Sequence, residues 1–247
     1  MKSIHRITIC TALLSLVTLA APLAAATTIY EDTFTRANTS VGASSLGADW
    51  SVTGDVFINS NMAAAQPGKG IAIYQKATLS DEFSLAVTVR TLDTVSNLFS
   101  GVLFNYDATT KTGLAIRITT VNSSAGIQLV KYVDGNVTLI EQSAIGSTLA
   151  QNTPYRITVK TTETPFKYSY AITTSGNVSI TSGFLTDTGS MEVKGQVGIY
   201  FGGGYVRGDN FSLEIPQPQI PEPSTYALFL GMLCVGFAGW LKLRRNR

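Results

Sequence analysis

The sequence predicts an all-β domain built as a two-sheet antiparallel sandwich, with a hydrophobic segment at each end of the chain. Apolar and polar residues alternate with period two over many short stretches, for example from Phe83 to Arg90. Turn signals such as Asp134-Gly135-Asn136 separate these stretches. Alternation of this kind is typical of strands that have one face in a core and one face in water. No stretch of this region has the 3.6-residue period of an amphipathic helix.

The first 26 residues have the composition of a secretory signal peptide. Lys2 and Arg6 precede an apolar stretch over residues 7–21. Ala24 and Ala26 then supply the small-x-small pattern that signal peptidase recognises. We therefore expect signal peptidase to cleave after Ala26, so that the mature chain begins at Thr27.

Residues 27–215 supply the strands, and they are numerous enough to enclose one full hydrophobic core. In chain order, strands are predicted at 83–90, 114–119, 127–133, 137–142, 155–160, 166–173 and 196–201. Including the less regular stretches, we expect about a dozen strands with a turn every eight to twelve residues, which is typical of a sandwich.

Three short segments follow the strand region. Residues 216–225 are rich in proline and are expected to form a stiff, extended linker. Residues 226–241 are an apolar run, which at 1.5 Å per residue would extend roughly 24 Å against a hydrocarbon layer of about 30 Å. We predict a short single membrane helix there. Residues 242–247 form a basic cytoplasmic tail, and its cations are the predicted stop-transfer signal: Lys242, Arg244, Arg245 and Arg247.

The flanking charges predict the topology of the precursor. Cationic residues lie on the outer side of both hydrophobic segments. Because positively charged flanks stay in the cytoplasm, residues 27–220 should lie across the inner membrane.

The end of the chain resembles the PEP-CTERM sorting signal of Gram-negative bacteria. The resemblance rests on three parts in a fixed order, which are the motif Pro221-Glu222-Pro223, a short hydrophobic helix and a terminal arginine cluster. It implies that exosortase, a membrane protease-transpeptidase, is a partner. It also implies an inner-membrane precursor that is later released or attached at the cell surface.

The strand region is similar to the concanavalin A-like lectin and glucanase superfamily. The similarity rests on an opening stretch over residues 32–38, a Gly-x-x-Trp stretch ending at Trp50 and a closing stretch over residues 208–213. It implies a jelly-roll sandwich and carbohydrate as the ligand class.

Composition excludes several classes of function. Twelve of the 18 Lys and Arg residues lie in the region 27–215, since two lie in the leader and four in the tail, and 15 of the 16 Asp and Glu residues lie there too. The exported domain therefore has a net charge of about −3, and it has no basic stripe that could bind nucleic acid. Cys10, Cys234 and His5 all lie outside it. Mechanisms that need a histidine base, a cysteine nucleophile or a His-ligated metal are thus excluded.

The carboxylates of the domain favour a non-enzymatic function. Glycosidases hold two carboxyl groups on either side of one bond, and the laminarinase-type enzymes of this superfamily place them in a Glu-x-Asp-x-Glu strand. The sequence contains no such strand. The adjacent pairs Glu31-Asp32 and Asp81-Glu82 would point to opposite faces of an extended chain.

Two sets of residues are candidates for binding. Trp50, Tyr106 and Tyr205 are candidates for stacking on sugar rings, because aromatic faces offer flat apolar area. Asp32 and Asp209 are candidate ligands of a structural calcium ion, which prefers oxygen ligands.

These observations give one hypothesis and two alternatives. We expect an exported protein of the cell surface or extracellular matrix, processed by exosortase and associated with exopolysaccharide or biofilm. The first alternative is a carbohydrate-binding module. The second is a glycosidase or lyase with an unrecognised site.

Overall fold

A computed structural model describes residues 27–42, 44–91, 98–121, 124–146, 149–203, 205–217 and 223–245. These residues contain thirteen strands and one helix. The strands are β1 (Thr27–Asp32), β2 (Trp50–Ile58), β3 (Ala63–Tyr74), β4 (Ser84–Thr91), β5 (Leu98–Asp107), β6 (Thr112–Val121), β7 (Ser124–Val133), β8 (Asn136–Ala144), β9 (Pro154–Thr161), β10 (Lys167–Thr174), β11 (Ser179–Thr186), β12 (Gln196–Phe201) and β13 (Val206–Pro216). Helix α1 is Pro223–Arg245.

The strands form one antiparallel sheet that folds over into two layers. The first layer has the order β11-β10-β9-β4-β13, with β1 on the far side of β13. The second has the order β3-β12-β5-β6-β7-β8, with β2 beside β3. Strands that share no hydrogen bonds, such as β4 and β5 or β11 and β8, pack face to face. The predicted two-sheet antiparallel sandwich is thus confirmed, and the predicted strand at 196–201 is β12.

Strand β13 joins the two layers. Its first residues pair with β3, where Val206, Arg207 and Gly208 lie opposite Ala65, Ala64 and Ala63. Its remaining residues pair with β1 instead, from Phe211 onward. Along most of its length β13 also pairs with β4. One strand therefore closes the edge at which the layers meet.

The core between the layers is aliphatic and aromatic. Alternate residues of β4, β6 and β9 point into it and are almost fully buried. Phe104 of β5 contacts Tyr168 of β10 across the layers, with ring centroids 4.8 Å apart. Burial raises the pKa of Tyr168 to about 12, and the amide of Asn105 donates to its hydroxyl over 3.4 Å.

An aspartate fixes the chain where β1, β2 and β13 meet. One carboxylate oxygen of Asp32 accepts from the backbone N–H of Phe34 at 2.7 Å and pairs with Arg36. The other accepts from the indole N–H of Trp50 at 2.7 Å. Phe34 has a φ of +51°, which is unfavourable for a residue with a side chain. The bond from its N–H to Asp32 supports this turn.

Helix α1 differs in its bounds from the sequence prediction. It begins at Pro223, inside the predicted linker, because proline is favoured in the first turn of a helix. It continues to Arg245, so that Lys242, Arg244 and Arg245 lie in its last turn rather than beyond it. Cations in that position are stabilised by the helix dipole.

No helix in the described residues combines the length and hydrophobicity that a membrane span needs, so the membrane segment predicted over residues 226–241 is not confirmed. The predicted signal peptide with Ala24 and Ala26, the motif residues Pro221 and Glu222, and the terminal Arg247 lie outside the described residues.

Replacing Asp32 by Asn should lower the free energy of unfolding by about 2 to 3 kcal/mol, the usual cost of losing hydrogen bonds to a charged acceptor. The amide keeps one acceptor oxygen but cannot pair with Arg36. Asp55→Asn is the matched control, since Asp55 is exposed on β2 and its loss should change stability by less than about 0.5 kcal/mol. Urea unfolding of both variants measures the difference, and equal stabilities would show that the carboxylate does not hold this joint.

Candidate functional site

The outer face of the second layer is closed and aromatic, unlike the polar surface that period-two alternation suggests. While Val102 and Leu114 point into the sandwich core, Leu103 and Ala115 point outward and are nonetheless fully buried. These outward residues form a second apolar cluster: Ile71, Ile73, Leu103, Tyr106, Ala115, Val130, Tyr132 and Tyr200, with Phe99 and Val137 packed against them. We call this surface the aromatic face.

Arg117 of β6 lies on the aromatic face and is held in a polar row that crosses three strands. Its Nε and one terminal nitrogen donate to the Oε1 of Gln128 at 3.0 and 2.9 Å. The Nε2 of Gln128 donates to the Oε1 of Gln142 at 2.9 Å. Because Arg117, Gln128 and Gln142 lie directly opposite one another on β6, β7 and β8, the pairing register itself builds the row.

Aromatic rings enclose the same guanidinium. It lies over the ring of Phe99, with its central carbon 3.9 Å from the ring centroid. Its remaining terminal nitrogen donates to the hydroxyl of Tyr200 at 3.0 Å. Gly101 lies opposite Arg117 on β5, and a Cβ there would approach the carbonyl oxygen of Ile116 to 2.0 Å. Glycine at 101 thus lets β5 run close beside the backbone of β6.

Among the described residues, no carboxylate pairs with the charge of Arg117. Its side chain is 9% exposed, and no carboxylate of the described residues lies within 4 Å of it. Burial lowers its pKa, while the phenol of Tyr200 opposes that shift. Burial raises the pKa of Tyr200, and the cation of Arg117 opposes that shift. Burying a cation among neutral partners costs free energy, and such groups are concentrated at functional sites.

Three tyrosines continue the aromatic face beyond Arg117. The ring centroids of Tyr106 and Tyr132 are 6.2 Å apart, and those of Tyr132 and Tyr200 are 6.3 Å apart. Burial is the main cause that raises the pKa of Tyr106 and of Tyr132. Tyr106, which the sequence predicts as a sugar-stacking residue, is one of these three tyrosines and is 6% exposed.

The two other nominated aromatic residues lie elsewhere. Trp50 is 3% exposed and packs between Phe34, Tyr74 and Phe211, with ring centroids 5.0 to 5.2 Å apart. Its selection as a stacking residue was wrong, because its face is covered by the core. Tyr205 is 38% exposed and precedes β13, where its backbone N–H donates to Ala65 at 3.0 Å. Tyr205 does not belong to the aromatic face.

Asp32 and Asp209 do not form a ready-made calcium site. Both oxygens of Asp32 already accept from N–H groups of Phe34, Arg36 and Trp50. Those of Asp209 accept from the backbone and side chain of Asn210 at 2.8 and 3.3 Å. In the described part of the chain, no three His, Cys, Asp or Glu side chains are close enough to hold a metal ion. Calcium binding stays a prediction.

Sequence reasoning missed Arg117, Gln128 and Gln142 as site residues. One signal was present, since Arg117 is the single charged residue within the alternating stretch 114–119. The partners of Arg117 follow from the strand register, which the sequence alone does not give.

A family model of the PEP-CTERM protein-sorting motif matches residues 219–247. The chain carries this sorting motif at its C-terminus. The resemblance noted for Pro221, Glu222 and Pro223 is thereby confirmed. No curated protein sequence matches the chain significantly.

The sandwich is similar to solved lectins and carbohydrate-binding modules. The winged bean acidic lectin, solved with methyl-alpha-D-galactose, matches with a TM-score of 0.53 at 8% identity, covering 78% of this chain and 100% of that one. The CBM2 module of the evolved Dit protein of Lactobacillus casei BL23 phage J-1 matches with a TM-score of 0.52 at 10% identity, covering 80% and 100%.

One similar structure carries the name of a glycoside hydrolase family. It is the GH43 protein BlXynB of Bacillus licheniformis, with a TM-score of 0.51 at 15% identity, and the match covers 76% of this chain and 39% of that one. At such identities the similarity establishes a lectin-like sandwich fold and leaves activity open.

A double-mutant cycle on Arg117 and Gln128 tests whether the buried cation stabilises the fold. Gln128→Leu leaves the cation without its main acceptor and should cost about 2 to 3 kcal/mol of unfolding free energy. Arg117→Met removes the charge itself and should stay within about 1 kcal/mol of wild type, because a buried charge without a carboxylate stabilises little. The double variant should recover most of the loss.

Urea unfolding of the four proteins measures the cycle. If Arg117→Met is as destabilising as Gln128→Leu, the guanidinium stabilises the fold. The main evidence that the aromatic face is functional is then lost.

Proposed function

We propose that the protein is an exported protein of the bacterial surface or extracellular matrix that exosortase sorts and processes at the inner membrane. The observation that carries the proposal is the PEP-CTERM motif over residues 219–247. The leader predicted over residues 1–26 supports export, and signal peptidase would remove it. The basic last turn of α1 supports retention of the C-terminal end in the cytoplasm during processing.

The position of the motif supports the same proposal. Strand β13 ends at Pro216 and α1 begins at Pro223, the last residue of the motif. The motif therefore lies in the short connection between folded domain and helix. A processing enzyme that acts there would separate the helix from the sandwich without cutting a strand.

Glu222→Ala should leave export intact but block removal of the tail, because the mutation takes away the acidic residue of the motif. A full-length precursor should then accumulate in the inner membrane fraction. Glu214→Ala, at an exposed position on β13 eight residues earlier in the sequence, is the matched control and should be processed normally. Immunoblots of cell fractions measure the ratio of precursor to product. Wild-type processing of the Glu222 variant would remove exosortase from the proposal.

We further propose that the sandwich binds extracellular polysaccharide through the aromatic face. Sugar-binding sites commonly pair aromatic rings with planar hydrogen-bonding groups. Phe99, Tyr200 and Tyr132 supply the rings, and the row of Arg117 and Gln128 supplies donors and acceptors. The lectin-like fold supports the same ligand class.

The carboxylates near this face favour binding over hydrolysis. The charges of two of them, Asp134 and Asp107, contribute to the raised pKa of Tyr106. Hydrogen bonds from the backbone N–H groups of Thr109 and Thr110 lower the pKa of Asp107, which is opposite to the shift a general acid needs. Lys111 is paired with Asp134, with Nζ 3.0 Å from the carboxylate.

A glycan array on residues 27–216, which form a compact unit, should give binding to at least one class of polysaccharide fragment. Arg117→Met should weaken that binding by about tenfold or more, since a charged hydrogen-bond donor is lost. Lys160→Met, which removes an exposed cation of the other layer, is the control and should bind as wild type. Equal binding by all three proteins would place the glycan site elsewhere. If the wild type binds no glycan, the proposal of glycan binding fails and the sorting proposal is unaffected.

A further inference from the structure

A cavity lies on the outer face of the first layer, on the opposite side of the sandwich from the aromatic face. Its volume is about 470 Å³. Three of the five arginines between residues 27 and 216 line it, and they come from three strands: Arg90 of β4, Arg156 of β9 and Arg207 of β13. Such clustering in a domain of net negative charge calls for a physical cause.

The strand register brings these cations together. Arg90 and Arg207 lie directly opposite each other across β4 and β13. Arg156 lies opposite Thr88, two residues before Arg90 on β4. Like charges directly opposite in a sheet are destabilising. The arrangement therefore works against the fold unless something else neutralises it.

The described carboxylates do not neutralise the cluster. The ion pairs in this part of the chain involve Arg36, Lys76, Lys111 and Lys194, and none involves a cavity arginine. The Nε atoms of Arg90 and Arg207 are buried and have no hydrogen-bond partner. Burial lowers the pKa of Arg207, and the charge of Arg90 lowers it further.

Arg156 is the anchored member of the three. Its two terminal nitrogens donate to the carbonyl of Asn210 at 3.0 Å and to the hydroxyl of Ser212 at 2.7 Å. Both acceptors lie at the register shift of β13 between Asp209 and Ser212. The irregularity thus fixes one guanidinium at the edge of the cavity.

Among the described residues that line the cavity, Asp209 is the only one with a carboxylate. Its oxygens are occupied by Asn210, as described above, and burial raises its pKa while Arg90 opposes that shift. Among the described lining residues, three cations therefore face one anion, and the cavity carries an excess of positive charge.

We propose that this cavity is an oxyanion-binding site that takes a carboxylate or sulfate group. Guanidinium N–H groups match the geometry of such oxyanions and bind them as charge-assisted donors. The guanidinium groups of Arg90 and Arg207 have no carboxylate partner among the described residues, so an incoming oxyanion would accept from them and its charge would relieve their repulsion. The proposal does not depend on the aromatic face or on the sorting motif.

The experiment measures oxyanion binding by the purified full chain with isothermal titration calorimetry at constant ionic strength. The probes are sodium sulfate, a short galacturonate oligomer and a neutral glucose oligomer of equal length. The variants are Arg207→Gln and Arg90→Gln, with Lys160→Gln as the matched control on the same layer. Lys160 is an exposed cation outside the cavity.

The wild type should bind sulfate, the galacturonate oligomer or both, and it should not bind the neutral oligomer. Each arginine variant should weaken that binding by about tenfold or more, and Lys160→Gln should leave it unchanged. Asp209→Asn should tighten it, because the competing carboxylate is neutralised. If sulfate displaces the oligomer, the site recognises the oxyanion alone, and if it does not, the site also recognises the sugar.

Melting temperatures of the same variants distinguish a loss of binding from a loss of folding. At low salt without ligand, Arg207→Gln should melt at a higher temperature than wild type, since its repulsion with Arg90 is gone. A lower melting temperature together with unchanged oxyanion affinity overturns the proposal. Absence of oxyanion binding by the wild type overturns it as well.

Discussion

The carboxylate of Asp32 is the constraint on which the rest of the sandwich depends. It joins the end of β1 to the start of β2 through Trp50 and supports the left-handed turn at Phe34. Trp50 in turn packs on Phe211 of β13, the strand shared by both layers. Because three N–H groups already donate to this carboxylate, a calcium ion would have to share its oxygens with these hydrogen bonds. Its role in the fold thus competes with the metal-binding role that its position in the sequence suggests.

The two outer faces of the sandwich differ in how densely their side chains are packed. On the second layer, Leu103 and Val130 are buried beneath tyrosines, and Arg117 is enclosed with them. On the first layer, Thr88 and Arg90 are only half-buried and border a cavity. Strand β13 pairs with β3 of the second layer and with β4 of the first. This pairing places Arg207 beside Arg90 at the edge where the layers meet.

Sequence periodicity predicted the fold class and most strands, because alternation reports directly which residues share a face. It did not give bounds for β3 (Ala63–Tyr74) or β5 (Leu98–Asp107). It also missed β11, an edge strand over Ser179–Thr186 whose few apolar residues include the exposed Phe184. It also assigned the outward faces of β6 and β7 to solvent, since alternation does not report whether an outward face is covered. Trp50 and the row of Arg117 show the same limit. Their surroundings are set by strand register and by packing from distant segments, whereas the sorting motif is contiguous and was therefore predicted from the sequence.

The partners of the arginines give the strongest reason to look for ligands on this sandwich. Residues 27–216 contain 15 carboxylates and 12 cations, so acidic partners are not scarce. Yet among the arginines of the described sandwich only Arg36 forms an ion pair with a carboxylate, and Arg117 relies on an amide and aromatic rings instead. Arg90 and Arg207 are placed opposite each other. A fold selected for stability alone would pair or expose such cations, because an unpaired, partly buried guanidinium costs free energy. Their positions are best explained by groups that the protein meets outside itself.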